Sequence, residues 1–162
     1  MKKIFLLTVL IYGYSFSQST AKVQKFPNLD FQIATPCNLY EDATFKKLAK
    51  NTANVKEAFI CASEVNNASK ASIYNIIVYN DEVGAKTFIT SYAINLKKAG
   101  ISYNTLVLDG IPALEYTFIQ NGIPAKAMVF YRYGKSYLFQ ISSRSLLDEK
   151  FSKLKNSFKK LN

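Results

Sequence analysis

Residues 102–142 read SYNTLVLDGIPALEYTFIQNGIPAKAMVFYRYGKSYLFQIS, and this stretch decides the fold. Apolar and polar residues alternate through it in short runs, each closed by a glycine-containing link. That period of two is the mark of strands, predicted over 102–108, 112–119, 125–133 and 136–142. Asp109-Gly110 is a turn or bulge, Asn121-Gly122 is a strong two-residue hairpin signal, and Gly134-Lys135 turns the chain again. The links are hairpin-sized, so the stretch is an antiparallel meander.

Working outward, Leu29, Phe31 and Ile33 alternate with Asp30 and Gln32 until Pro36 stops a first strand. Residues 38–53 carry a weak helical pattern in Phe45, Leu48 and Ala49, which suits a short helix or a loop. Val55 to Ser63 reads as a strand, Asn66 to Ser69 as a turn, and Ser72 to Tyr79 as a further strand. That last strand is apolar on both faces, Ile73, Ile77 and Tyr79 against Tyr74, Ile76 and Val78, so it is central and covered on both sides. Asp81 is the expected cap of a helix over 82–99 that Gly100 ends, with Ala85, Phe88, Ile89, Tyr92, Leu96 and Ala99 as its buried stripe. A closing helix carries Leu147, Phe151, Leu154, Phe158 and Leu161 on one face, and Ser145 with Asp148 is its expected capping box. Hairpins with segregated helices make the class α+β.

At Leu108-Asp109-Gly110-Ile111-Pro112-Ala113 the chain resembles the PsbP-like superfamily, in which a Gly-hydrophobic-Pro-Ala turn precedes a long hairpin, a strand and a C-terminal amphipathic helix. Phe31-Gln32-Ile33-Ala34-Thr35-Pro36 resembles that family's first strand, and the likeness in element order spans about residues 28 to 161. The resemblance implies an α/β/α sandwich around a mainly antiparallel sheet. It also implies a binding, assembly or chaperone-like role rather than an enzymatic one. It transfers no site residue, because the matching positions are turn and strand residues, and a fold alone says little about function.

Met1-Lys2-Lys3, an apolar run from Ile4 to Tyr14, and Ser15-Phe16-Ser17 make the three-part layout of a secretory signal peptide, with cleavage expected before Gln18. The run is far short of the roughly 20 residues of a membrane span, although an uncleaved anchor is the alternative. The first cysteine is Cys37, so no lipid attachment is expected at the cut. The expected organisation is thus a signal peptide over 1–17, a loose segment over 18–28 and one α+β domain over 29–162. The chain is expected to be exported, to the periplasm or the extracellular medium, with no transmembrane segment after cleavage. An even cysteine count in an exported chain points to a Cys37–Cys61 disulfide, two buried free thiols being the alternative.

Without Lys2 and Lys3, 19 basic residues face 11 acidic ones, a net charge of +8. Such a charge could attract nucleic acid, anionic glycans or acidic lipid, but the lysines are dispersed and arginine is present only as Arg132 and Arg144. Base reading and bidentate phosphate recognition favour arginine, so no specific nucleic-acid role is expected. Solubility is the simpler explanation of the charge.

The chain contains no histidine, which removes Ser-His-Asp and Cys-His triads and most zinc and haem sites. The six glycines never take a phosphate-cradling spacing. Asn80-Asp81-Glu82 lacks the offsets of a calcium loop, and Asn67-Ala68-Ser69 is a glycosylation tripeptide that is common by chance. No cofactor and no metal are expected. Glu115 is the one carboxylate well inside a predicted strand, either a buried acid or cation ligand, or the partner of Lys126 or Arg132 across the hairpin. Lys150, Lys153, Lys155, Lys159 and Lys160 surround the last helix's apolar stripe, as snorkelling lysines of a docked helix or as a membrane-surface face.

Aromatic and basic residues interleave at Tyr131, Arg132, Tyr133, Lys135 and Tyr137. These five are the candidate binding residues, able to grip a sugar, a peptide or a protein, unless the rings are strand formers of the core. Two functional readings follow. One is a non-catalytic binding or assembly protein of the cell envelope, whose partner is another envelope protein or an acidic or carbohydrate-bearing surface. The alternative is a His-free hydrolase of the Ser-Lys type, or a small-ligand binding protein. A serine hydroxyl within hydrogen-bond reach of a lysine, inside a pocket, would favour the hydrolase.

Overall fold

The meander forms where its turn residues demand it. In a computed structural model that describes residues 21–50, 55–80 and 83–161, three two-residue turns place both residues at positive φ: Asp109 (48°) and Gly110 (82°), Asn121 (50°) and Gly122 (75°), Tyr133 (50°) and Gly134 (72°). This is the type I′ geometry whose twist matches that of the flanking strands. The turns recur every 12 residues, so the two strands between them, Ile111–Gln120 and Ile123–Arg132, are ten residues each. The third turn is Tyr133-Gly134 rather than Gly134-Lys135, because Lys135 already pairs with Arg132.

The chain order is β1 (Lys22–Phe26), a 3-10 turn (Pro27–Leu29), β2 (Phe31–Thr35), β3 (Tyr40–Glu41), α1 (Ala43–Lys50), β4 (Val55–Ser63) and β5 (Ser72–Asn80). It continues with α2 (Ala85–Lys98), β6 (Tyr103–Leu108), β7 (Ile111–Gln120), β8 (Ile123–Arg132), β9 (Lys135–Ser143), α3 (Leu147–Ser157) and β10 (Lys159–Lys160). Seven strands form an antiparallel sheet in the order β3-β4-β5-β9-β8-β7-β6, and β1-β2-β10 form a second, smaller one. The class is α+β, with β5 inside the large sheet and apolar on both faces as expected. Among the described residues no helix is long and apolar enough to cross a membrane.

One face of the large sheet presents Ile76, Val78, Met128, Phe130, Tyr137, Phe139 and Ile141 to the small sheet and to Phe151, Leu154 and Phe158 of the C-terminal segment. Phe130 stacks on Tyr137 at 4.8 Å and meets Phe158 edge-on at 5.2 Å. The other face presents Leu114, Tyr116, Ala127 and Val129 to Phe88, Ile89, Tyr92 and Leu96 of α2, while Val55, Ala58 and Ile77 receive Phe45 of α1. Truncating a fully buried ring such as Phe151 to alanine removes about 3–5 kcal/mol.

Several expectations are corrected. Residues 22–26, expected loose, form β1 by pairing Val23 with Ala34 and Gln24 with Ile33. Leu29 sits in the 3-10 turn, so the strand starts at Phe31. α2 begins at Ala85 with Gly84 as an N-cap that lends no side chain. The Ser145–Asp148 capping box does not form: Leu146 caps α3, and Asp148 pairs with Lys126 at 2.9 Å. The Ser143 hydroxyl closes this corner instead, donating to the Ser145 carbonyl at 2.8 Å. α3 stops at Ser157, where the Ser157 hydroxyl binds Ala34 and Leu154, and the chain leaves the helix to pair as β10. Residues 1–17, the expected cleavage point before Gln18, and the expected cap at Asp81 and Glu82 lie outside the described residues.

Candidate functional site

The β8–β9 hairpin end carries all five candidate residues, but it spends most of them internally. Lys135 Nζ donates to the Asn28 carbonyl at 3.1 Å, Tyr137 Oη to the Leu29 carbonyl at 3.1 Å, and Arg132 Nη1 to the Asp30 carbonyl at 3.0 Å. Three consecutive carbonyls of the turn after β1 are thus satisfied by one hairpin. Arg132 Nη2 also reaches the Leu161 carbonyl at 3.3 Å, which joins the C-terminal strand to the same corner. Carbonyls in an irregular turn need such partners once neighbouring chain shields them from water.

Tyr137 therefore belongs to the core, at 1% exposure, and is corrected from the list of surface contacts. Strand alternation aims it at Phe31 and Phe130, and burial, reinforced by the charge of Asp30, pushes its hydroxyl up to about 12. Tyr131, half-buried, points to the opposite face, with its ring 6.0 Å from that of Phe88 on α2. Tyr133 is the ring left outside, 71% exposed at the apex of the turn, with the Arg132 guanidinium 4.5 Å from its centroid.

Around Tyr133 lies an open cleft of about 540 Å³ lined by Asp30, Gly110 to Pro112, Tyr131, Arg132, Lys160 and Leu161. It brings together the β6–β7 and β8–β9 turns and the end of β10, segments from three separate parts of the sequence. Its walls offer an aromatic face, an arginine already half-committed to backbone, and a lysine. That combination suits contact with a polar or acidic surface and lacks a nucleophile–base pair.

The Ser-Lys arrangement weighed from the sequence exists elsewhere, at the opposite end of the sheet. Lys150 Nζ lies 2.7 Å from Ser72 Oγ and 3.3 Å from Ser143 Oγ, and the two hydroxyls are 2.9 Å apart. The ammonium also donates to the Lys70 carbonyl at 2.8 Å and pairs with Glu64 at 3.0 Å. Four acceptors surround three N–H donors, and both serines are 1% exposed. A lysine acts as a base through a free lone pair, and an ammonium engaged on all sides offers none. Nothing local in the sequence announces this cluster, since it depends on the pairing of Ser72 with Ser143 across β5 and β9.

Glu115, 8% exposed, is matched by Lys155 at 2.7 Å and Lys126 at 2.9 Å, and not by Arg132. Burial opposes its ionisation, but the hydrogen bonds and charges of Lys155 and Lys126 prevail and hold its carboxyl below the ordinary range. It is thus a structural ion cluster beneath α3. Under α2, the Tyr92 and Tyr116 hydroxyls share a hydrogen bond of 2.7 Å, and burial raises both above the usual phenol value, Tyr116 far above it. Cys37 and Cys61 are joined, Cα to Cα 5.9 Å, tying the loop after β2 to β4. Among the described residues no group of acidic and cysteine side chains could hold a metal ion.

No family model and no curated protein matches the sequence. Solved structures do resemble the fold. The solution structure of cyanobacterial PsbP (CyanoP) from Synechocystis matches 90% of this chain and 95% of its own, with a TM-score of 0.56 at 10% identity. A crystal structure from Bacteroides thetaiotaomicron matches 87% of this chain with a TM-score of 0.57 at 11% identity, and there the match spans 48% of the other chain. The fold is PsbP-like, a seven-stranded antiparallel sheet between helical layers.

Proposed function

We propose that this PsbP-like chain is a non-catalytic binding or assembly module that works outside the cytoplasm. It engages an envelope partner bearing acidic or carbohydrate groups through the cleft at the β8–β9 turn. The observation that carries the reading is Tyr133, a large ring held out at the cleft by a turn whose other functional groups are locked into the fold. Exposed aromatic side chains stiffened by a neighbouring arginine are the residues on which protein and sugar contacts concentrate. Export is supported by the Cys37–Cys61 disulfide, since such bonds persist in oxidising compartments, and by the apolar segment at Ile4 to Tyr14.

The test is retention of native envelope components on immobilised protein. Tyr133→Ala should reduce retention about fivefold or more, the equivalent of at least about 1 kcal/mol, with an unchanged melting temperature. Equal retention by the wild type and the variant would overturn the reading. The alternative reading, hydrolysis, has its Ser-Lys contacts among the described residues at Ser72, Ser143 and Lys150, and the burial of both serines and the fully engaged ammonium weigh against it. Labelling of Ser72 or Ser143 by a fluorophosphonate would establish it in place of the first.

A further inference from the structure

Of the sheet edges among the described residues, all but one are guarded. β1 carries Lys22 and Lys25, β10 is Lys159-Lys160 alone, and β3 is two residues long with Glu41 as one of them. β6 is different. It closes the large sheet on its far side with six residues, Tyr103 to Leu108, that include no charge and no proline and show no register break against β7. Natural edge strands of this length are normally blunted by charge, proline or a bulge, because unpaired backbone groups invite another strand.

The register says which groups are free. Leu108 and Ile111 flank the two-residue turn and form its hydrogen-bonded pair, so Leu106 with Ala113 and Asn104 with Glu115 are bonded as well. The N–H and C=O groups of Tyr103, Thr105 and Val107 then point away from β7. Asn104 and Thr105 are exposed, and Val107 is 71% exposed. Lysines mark both ends of the strand. Lys97 Nζ lies 6.0 Å from the Tyr103 ring with the exposed Lys98 beside it, and Lys160 Nζ lies 3.7 Å from where a Cβ on Gly110 would stand. Asp109 receives the Lys160 backbone N–H at 2.9 Å, and Glu115 is neutralised by two lysines.

We infer that β6 is a docking edge for an extended segment of a partner protein, uncharged at its centre and acidic at both ends. Such a segment would add an eighth antiparallel strand over about 20 Å, bonded to Tyr103, Thr105 and Val107. A second copy of this chain fits less well. Antiparallel pairing of β6 with itself through these outward groups sets Tyr103 against Val107 of the other copy and Thr105 against its counterpart, which brings the Lys97 end of one chain to the Lys160 end of the other. Like charges so placed disfavour the pair.

The experiment uses two blocked, fluorescent heptapeptides, Asp-Val-Thr-Val-Thr-Val-Asp and the same sequence with lysine at both ends, read by anisotropy. The acidic-ended peptide should bind the protein at least tenfold tighter than the lysine-ended one. Thr105→Pro, which removes an outward N–H without touching a bond to β7, should weaken that binding at least tenfold. Hydrogen exchange on the unaltered protein gives a readout that does not depend on the variant's folding. The Tyr103, Thr105 and Val107 amides should slow when the acidic-ended peptide is added, while those of β7 stay as they were. Equal binding of the two peptides, unchanged exchange at the three amides, or a dimer in sedimentation that Thr105→Pro dissolves would each overturn the assignment.

Discussion

The Tyr137 hydroxyl donates to the Leu29 carbonyl at 3.1 Å from a ring stacked 4.8 Å from that of Phe130. The two residues lie 108 positions apart, so the bond forms only once β9 and the 3-10 turn are both in place. Tyr137→Phe keeps the stacking and leaves a shielded carbonyl without its donor. We expect a loss of about 1 to 2 kcal/mol in urea unfolding, against less than about 0.5 kcal/mol for Tyr133→Phe at the exposed apex. Equal effects at the two positions would contradict the clamp.

Glu115 makes stability depend on acid. Its folded-state carboxyl is held below the ordinary 4.5 because Lys155 and Lys126 outweigh the effect of burial. A depressed carboxylate contributes stability that is fully present above the unfolded value and is lost as pH falls through the folded one. The wild type should therefore lose stability more steeply than Glu115→Gln as pH drops below about 4.5. Thermal melts between neutral pH and pH 3 measure the difference, and parallel curves would exclude a role for the cluster.

The disulfide between Cys37 and Cys61 spans 24 positions and closes a short loop onto β4. In the chain-entropy account a loop of this size stabilises by about 3 kcal/mol. Reduction should lower the urea midpoint accordingly without abolishing the fold, because the aromatic core on the same face does not depend on the bond. Thiol titration of the denatured, unreduced protein should find no free thiol, and two thiols would refute the pairing.

Lys150 is expected to act structurally through Ser72, Ser143 and the Lys70 carbonyl. Lys150→Met should cost about 1 to 3 kcal/mol, because it strips the charged donor from a buried set of acceptors. Fluorophosphonate exposure should leave both serines unlabelled in the wild type and in Lys150→Met. Labelling lost in the variant would instead mark a catalytic pair.

Much of the fold was legible because local chemistry and tertiary structure agree along the meander. Asn121-Gly122 admits the positive φ values its turn requires, and the mainly apolar centres of β7 and β8 are buried on both faces. The misreadings share a cause. β1 is short, lysine-bearing and half-exposed, so its pattern carries little periodic signal, and it is a strand because β2 offers it a partner. Ser145 and Asp148 have the spacing of a capping box, but Ser143 and Lys126 reach those positions first.

The candidate site divides the same way. The sequence alone located the hairpin end and its aromatic and basic residues, because a two-residue turn and strand alternation depend on neighbours in the chain. It also determined the absence of histidine chemistry, which is a matter of composition. Only the tertiary structure decided which of the five residues remain available. Arg132, Lys135 and Tyr137 are taken up by carbonyls 102 to 108 positions away, and Tyr133 is left exposed. No local pattern encodes that outcome, because a side chain's function depends on which distant backbone groups reach it first, and the packing of the whole chain decides that.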